Sequence, residues 1–289
     1  MLTARDVWLG IMLPAVLAAA TMFVAHRAIK RRVGRRVSRT WSAPLAVALG
    51  VFTGTLALFG WPGVPPLDAT EWPVLLILPL AAIAVVDARS DLVPPARFAI
   101  ALAVVAVSLW LIARPLLEGD ALGERPLEEL ALAAVLITAA TASLEAISAR
   151  STAGAFTAIL LAAIGGAALT LAMSGSQRLG QMAAALAAAL GGGLVAGVVL
   201  GRGPAPRGLA LVVGLTYLEL LICGYLYAEL TAGNFVLLAI APQAAWLAHP
   251  WVRRGAWAAQ AWQVACVALV AGLAVYRAWA TFAADTSGH

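Results

Sequence analysis

A single carboxylate in the middle of an apolar run is the residue best placed to do chemistry in this sequence. The stretch GLTYLELLICGYLYAEL, residues 214–230, carries Glu219 near its centre. A charge at the middle of a bilayer-spanning helix costs on the order of 3 kcal/mol on insertion scales, so such a residue is a functional candidate by default. At the helical angle of about 100° per residue, Thr216, Glu219, Cys223 and Tyr227 fall on one face about 80° wide. That stripe, with Tyr217 beside it, is expected to face protein or a water-filled cavity rather than lipid. A carboxylate there can hold a coupling proton, a cation or a polar group of a substrate. Its structural alternative is to link helices by hydrogen bonding. Counted from the inner boundaries of their own runs, Gln243 and Gln263 are expected within about a turn of the depth of Glu219.

A second polar stripe precedes it in the chain. Thr138, Thr141, Glu145 and Ser148 follow spacings of three, four and three, and so share a helix face. Glu145 lies near the predicted inner end, within reach of Arg150 if its stem extends to the surface. Glu219, Thr216, Tyr217, Gln243, Gln263 and Glu145 are therefore the candidate proton- or substrate-binding residues.

The third feature is VVDARSDLVPPAR, residues 85–97, where an apolar run ends in Asp87 and Val93-Pro94 follows. It resembles the first aspartate region of type IV prepilin peptidases, in which Asp-x5-Ile-Pro follows a membrane helix. The resemblance implies that Asp87 is one of two aspartates activating water. That chemistry needs a second carboxylate, one acting as base and the other as acid, and the family places it in Gly-x-Gly-Asp. Here the glycine-rich stretch is LGGGLVAG, residues 190–197, with Leu194 where the acid belongs. The plainer reading is a charged turn with Arg89 and Arg97 close by. No Walker A, zincin or Gly-x-Ser-x-Gly motif is present, and His26 and His249 stand without clustered partners. The sequence thus assembles no catalytic set, no metal site and no cofactor site.

Composition dictates the setting of these residues. The chain has 289 residues, of which 63% are hydrophobic and 11% charged, with a mean hydropathy of +0.93. A soluble domain is about a quarter charged, so this chain lacks the residues for a water-facing surface. The expected fold is an all-α, polytopic transmembrane bundle of about ten helices, forming one membrane domain with possible five-helix halves at 7–147 and 153–281. Apolar runs lie near 7–26, 41–60, 68–87, 97–116, 127–147, 153–174, 179–200, 208–229, 233–249 and 256–281. The third and ninth are the weakest, interrupted by Pro73 and Pro79 and by Pro242. The first is read as a retained helix, because its positive charge follows the apolar run instead of preceding it.

Basic residues orient the bundle. With the N-terminus outside and strict alternation, fourteen of the nineteen Lys and Arg residues fall on inner loops and five on outer ones. That asymmetry is the positive-inside pattern and puts both termini outside. Trp8, Trp61, Trp72 and Trp279 then lie at outer edges, and Trp41, Trp251 and Trp257 at inner ones, the depth amphipathic rings prefer. The net charge of +5 follows from the inner loops, without a nucleic-acid partner. In RAIKRRVGRRVSR, residues 27–39, Arg31, Arg32, Arg35 and Arg36 are candidate contacts for anionic lipid head groups, at roughly 1 kcal/mol per residue near the surface.

Two readings concern shape. Small residues four apart allow close helix approach. They occur as Gly50 and Gly54, and as Gly193, Gly197 and Gly201, and could also serve a homo- or hetero-oligomer. The stretch WPGVPPLDATEWP, residues 61–73, reads as an outer turn in which Asp68 and Glu71 favour the following helix N-terminus. This stretch resembles connections in uncharacterised multi-spanning proteins of high-GC bacteria such as planctomycetes, which implies a bacterial inner-membrane location and no particular activity. Ten helices in so short a chain match the size of small secondary carriers for solutes or ions. The competing expectations are a non-catalytic accessory subunit of a membrane complex and a prepilin-peptidase-like protein lacking its second aspartate.

Overall fold

In a computed structural model of the protein, the described residues are 4–30, 42–66, 68–90, 93–119, 126–200, 208–251 and 257–287. Among them the secondary structure is helical throughout. The long helices are α1 (Leu13–Lys30), α2 (Ser42–Phe59), α3 (Trp72–Ser90), α4 (Pro94–Glu118), α5 (Pro126–Arg150), α6 (Ala153–Met173), α7 (Gln177–Val199), α8 (Leu209–Tyr227) and α10 (Trp257–Ser287). The short α9 (Ala232–Ile240) continues into a 3-10 segment, Ala241–Trp251. Among the described residues nine helices are long and apolar enough to cross a membrane. The protein is a multi-pass, all-α membrane bundle. Arg31, Arg32, Arg35, Arg36 and Gly201 lie outside the described residues.

The ninth run departs from the expected simple helix. Pro242 has no N–H to give to the Leu238 carbonyl one α-turn back, and a proline ring crowds that carbonyl. The chain tightens there, and Ala241 N–H bonds Leu238 O in the 3-10 manner. The tighter coil is also longer, at about 2.0 Å per residue against 1.5 Å. The apolar stretch Ala232–Ala248 would cover about 26 Å as a pure α-helix and covers about 30 Å as found, close to the hydrocarbon thickness. The third run, also interrupted by proline, is a continuous helix with Pro79 inside it.

Helix α8 is the axis of the bundle. It packs on α2, α3, α4, α5, α6, α7 and α9, and 83% of its apolar window is buried, against 56% or less for every other spanning helix. The Glu219 stripe therefore faces protein, as its polarity requires. Helices α1, α2, α6 and α7 pack on one another with α10 on α6, and α3 joins this group through α2 while α4 packs on α5.

Glycine contacts set the first group. A Cβ on Gly54 would lie 2.3 Å from Pro14 Cγ, and one on Gly50 2.7 Å from Pro14 O, so α2 sits directly on α1. In α7 the close approach belongs to Gly192, whose Cβ would stand 2.1 Å from Ala15 O. Gly193, the position expected from the four-residue spacing, would only touch Met22 Sδ at 3.5 Å. Gly50, Gly54 and Gly192 thus serve contacts within the chain. Gly192→Val is expected to lower stability by about 3 kcal/mol through overpacking, whereas Gly191→Ala, facing open space, stays within about 0.5 kcal/mol. Thermal unfolding of the two variants in mild detergent checks the contrast.

At the opposite end from Asp87, the 61–73 stretch is fastened by charge. Asp68 accepts a hydrogen bond from Thr70 N–H at 2.9 Å, capping the short turn before α3. Its other oxygen meets Arg178 of α7 at 2.7 Å, and Arg178 also reaches Glu71 at 2.8 Å. The guanidinium lies over the Phe59 ring, 5.2 Å from its centroid. The two acids hold a link between α3 and α7 as well as a helix start.

Candidate functional site

Two sets of polar residues are brought together by this packing. The first is at the Asp87 end. Helix α3 ends beyond Asp87, and Val93, in extended conformation, leads into Pro94 and Pro95 at the first positions of α4. Proline is favoured there because its fixed φ suits the first turn and the missing N–H has no helical partner to lose. Arg97 therefore lies in the first turn of α4, and its Nε stands 2.7 Å from Asp87 Oδ1. The contact is an ion pair without the alignment of a hydrogen bond.

This pair forms part of the wall of a cavity of about 450 Å³, within the usual range for small-molecule sites. Thr138, Thr141 and Glu145 line it from α5, Ile83 from α3, Phe98 and Ala101 from α4, and Leu211 from α8. The second stripe read from the sequence thus meets the third motif. Thr138 and Thr141 donate to the carbonyls of Ala134 and Ile137 one turn earlier, at 2.7 and 2.9 Å. Their hydroxyls are satisfied within α5, so Asp87, Arg97 and Glu145 supply the charge. A comparable cavity of about 490 Å³ lies among the N-terminal residues, α6 and α7, with Asp6 as its one charged residue.

The second carboxylate near Asp87 is therefore Glu145, and Leu194 is elsewhere. Helix α7, which carries Leu194, packs on α1, α2, α6 and α8 and contributes no residue to the wall of this cavity. Arg97 occupies an oxygen of Asp87, an arrangement unlike a free aspartate poised to activate water.

The second polar set surrounds Glu219. This side chain is buried, and neither carboxyl oxygen has a hydrogen-bond partner. Ser108 faces it from α4 without hydrogen-bond alignment, and Thr216 stands one turn earlier in α8, also unpartnered. Buried polar groups left so are rare and call for a reason.

The remaining candidates have other partners. Tyr217 donates its hydroxyl to Leu238 O at 2.6 Å, reaching the carbonyl disturbed by Pro242. Tyr227 does the same for Ile112 O at 2.5 Å, three residues before Pro115 inside α4. Gln243 accepts from Ser143 at 2.6 Å and donates to Ala140 O at 3.1 Å. Trp246 Nε1 also donates to Ser143 Oγ, at 2.9 Å. Gln263 accepts from Ser151 at 3.5 Å. The two glutamines fasten the ninth and tenth segments to α5 and its C-terminal turn and do not join Glu219. Tyr217→Phe is expected to cost about 1–2 kcal/mol, because a buried carbonyl loses a bond, and chemical unfolding in detergent measures it.

No known protein family matches the chain, and a search of curated proteins finds no match.

Proposed function

We propose that the protein is a secondary carrier of the bacterial inner membrane, moving a small organic solute that bears an ammonium group. The observation that supports this reading is the cavity in which Asp87, Arg97 and Glu145 line a mostly apolar wall. Asp87 and Glu145 are carboxylates, the groups that the ammonium of a solute would meet in this wall. Arg97 offers a planar donor fork to a carboxylate if the solute is a zwitterion. The apolar lining from α3, α4 and α8 suits a small hydrocarbon body, with a few polar groups fixing its orientation.

The test is uptake by proteoliposomes of a panel of radiolabelled primary amines and neutral amino acids, with empty liposomes as the blank. At least one solute is expected to enter above the blank, and Glu145→Gln is expected to reduce that uptake at least tenfold while folded yield is kept. If no solute on the panel enters above the blank, or if Glu145→Gln transports normally, this reading is wrong. Stable copurification with one other membrane protein would favour an accessory subunit instead.

A further inference from the structure

Serine and threonine hydroxyls inside membrane helices ordinarily bond a carbonyl of their own helix one turn earlier. This chain follows the rule closely. Thr138, Thr141, Thr157, Thr170 and Ser174 each donate to the residue four positions back, at 2.7 to 2.9 Å, and Thr55 donates to Val51 O in the same way. Ser143 donates to Gln243 instead, and Ser108 and Thr216 make neither kind of bond. Each is at least 98% buried, sits within a helix, and makes no hydrogen bond to its own helix. Both belong to the surroundings of one residue, Glu219, which is 1% exposed and has both carboxyl oxygens unpartnered. Ser108 faces that carboxyl across the α4–α8 contact, and Thr216 lies three residues before it on the same face of α8.

We infer that Glu219, Ser108 and Thr216 form a binding site for a monovalent cation of sodium's size, held by oxygen ligands between α4 and α8. The set provides two carboxyl oxygens and two hydroxyl oxygens with free lone pairs, the ligand type of hard cations. It carries a single carboxylate, which one monovalent ion neutralises. Among the described residues no three His, Cys, Asp or Glu side chains come together, so the donor set is that of neither a transition metal nor a divalent cage. A proton would use one oxygen and leave the other three as they are, whereas a central cation contacts all four. The surrounding turns of α8, with Leu215, Leu218, Leu220 and Ile222, are buried, which favours a small ion over a large one. Glu219 lies eight residues, about 12 Å, along α8 from Leu211 in the cavity wall. A role in coupling ion to solute rests on the carrier reading; binding of the ion does not.

Purified full-length protein in mild detergent is melted in NaCl, KCl and choline chloride at equal ionic strength and fixed pH. Sodium is expected to raise the melting temperature saturably above both other salts. Glu219→Gln is expected to abolish that increment, and Ser108→Ala and Thr216→Val to raise the half-saturating sodium concentration at least tenfold. If Glu219→Gln does not fold, the two hydroxyl variants carry the test alone. Equal stabilisation by all three salts would overturn the proposal as a general salt effect. So would a sodium increment unchanged in every variant, or stabilisation that follows pH and is indifferent to sodium. Sodium binding without solute uptake would reject the carrier and keep the site, and uptake indifferent to sodium with no sodium increment would do the reverse.

Discussion

Glu219→Leu is expected to make the protein more stable in sodium-free buffer and to abolish coupled uptake. A buried polar group without a partner carries a penalty of about 1–3 kcal/mol. Glu219 has two such oxygens, and the hydroxyls of Ser108 and Thr216 make no bond to their own helices. Leucine has nearly the same reach, removes the carboxyl, and lets both hydroxyls return to the carbonyls one turn back. A gain of roughly 2 kcal/mol corresponds to several degrees in melting temperature for a chain of this size. A carboxylate whose task was to hold helices together would give the opposite sign, since its loss would leave partners unpaired. Melting curves of wild type and variant in choline chloride distinguish the two, and a destabilised leucine variant would refute the functional assignment of this residue.

Arg97→Leu is expected to destabilise by about 2–3 kcal/mol. Removing one member of a buried ion pair leaves the other charged and unmatched, at a cost of about 3–5 kcal/mol in fully buried cases. Asp87 and Arg97 keep 11% and 25% side-chain exposure, which trims that figure. The double variant Asp87→Leu/Arg97→Leu should recover most of the loss, because two apolar side chains then meet an apolar cavity wall. The Arg114–Glu118 pair provides the internal contrast. It has the same separation, 2.7 Å, but lies within one helix at 54% and 63% exposure, so Arg114→Leu is expected to change stability by less than about 0.5 kcal/mol. Unfolding titrations of wild type and the three variants give the comparison, and equal losses at Arg97 and Arg114 would show that burial has no part in it.

Helix identity was readable in the sequence because membrane helices must satisfy their own backbone, and a run of apolar residues has few other ways to do so. The orientation of the Glu219 stripe was readable for the same reason, since a polar face cannot be turned to lipid. What escaped were pairings between helices far apart in the chain. Arg178 meets Asp68 over 110 residues, and nothing local to either residue announces the other. That Asp87 and Glu145 line one cavity was hidden in the same way. Gln243 was placed near Glu219 by counting α-helical turns, but Pro242 starts a 3-10 coil. In that geometry residues three apart stack in line, which brings Gln243 and Trp246 together onto Ser143. The proline was visible in the sequence, whereas the hydrogen bond that Tyr217 donates to the Leu238 carbonyl comes from another helix and was not.

The lengthened ninth segment also bears on a matter of parity. Nine crossings would leave the two ends of the chain on opposite sides of the bilayer, whereas ten return it to the side where it began. The difference rests on about 4 Å gained by a coil that rises half an ångström more per residue. Paired reporters read it directly, one fused at the N-terminus and one after His289, and they are expected to give the same answer. Opposite answers would mean that Ala232–Trp251 enters the membrane and turns back, and that every inner loop assigned after it must be exchanged for an outer one.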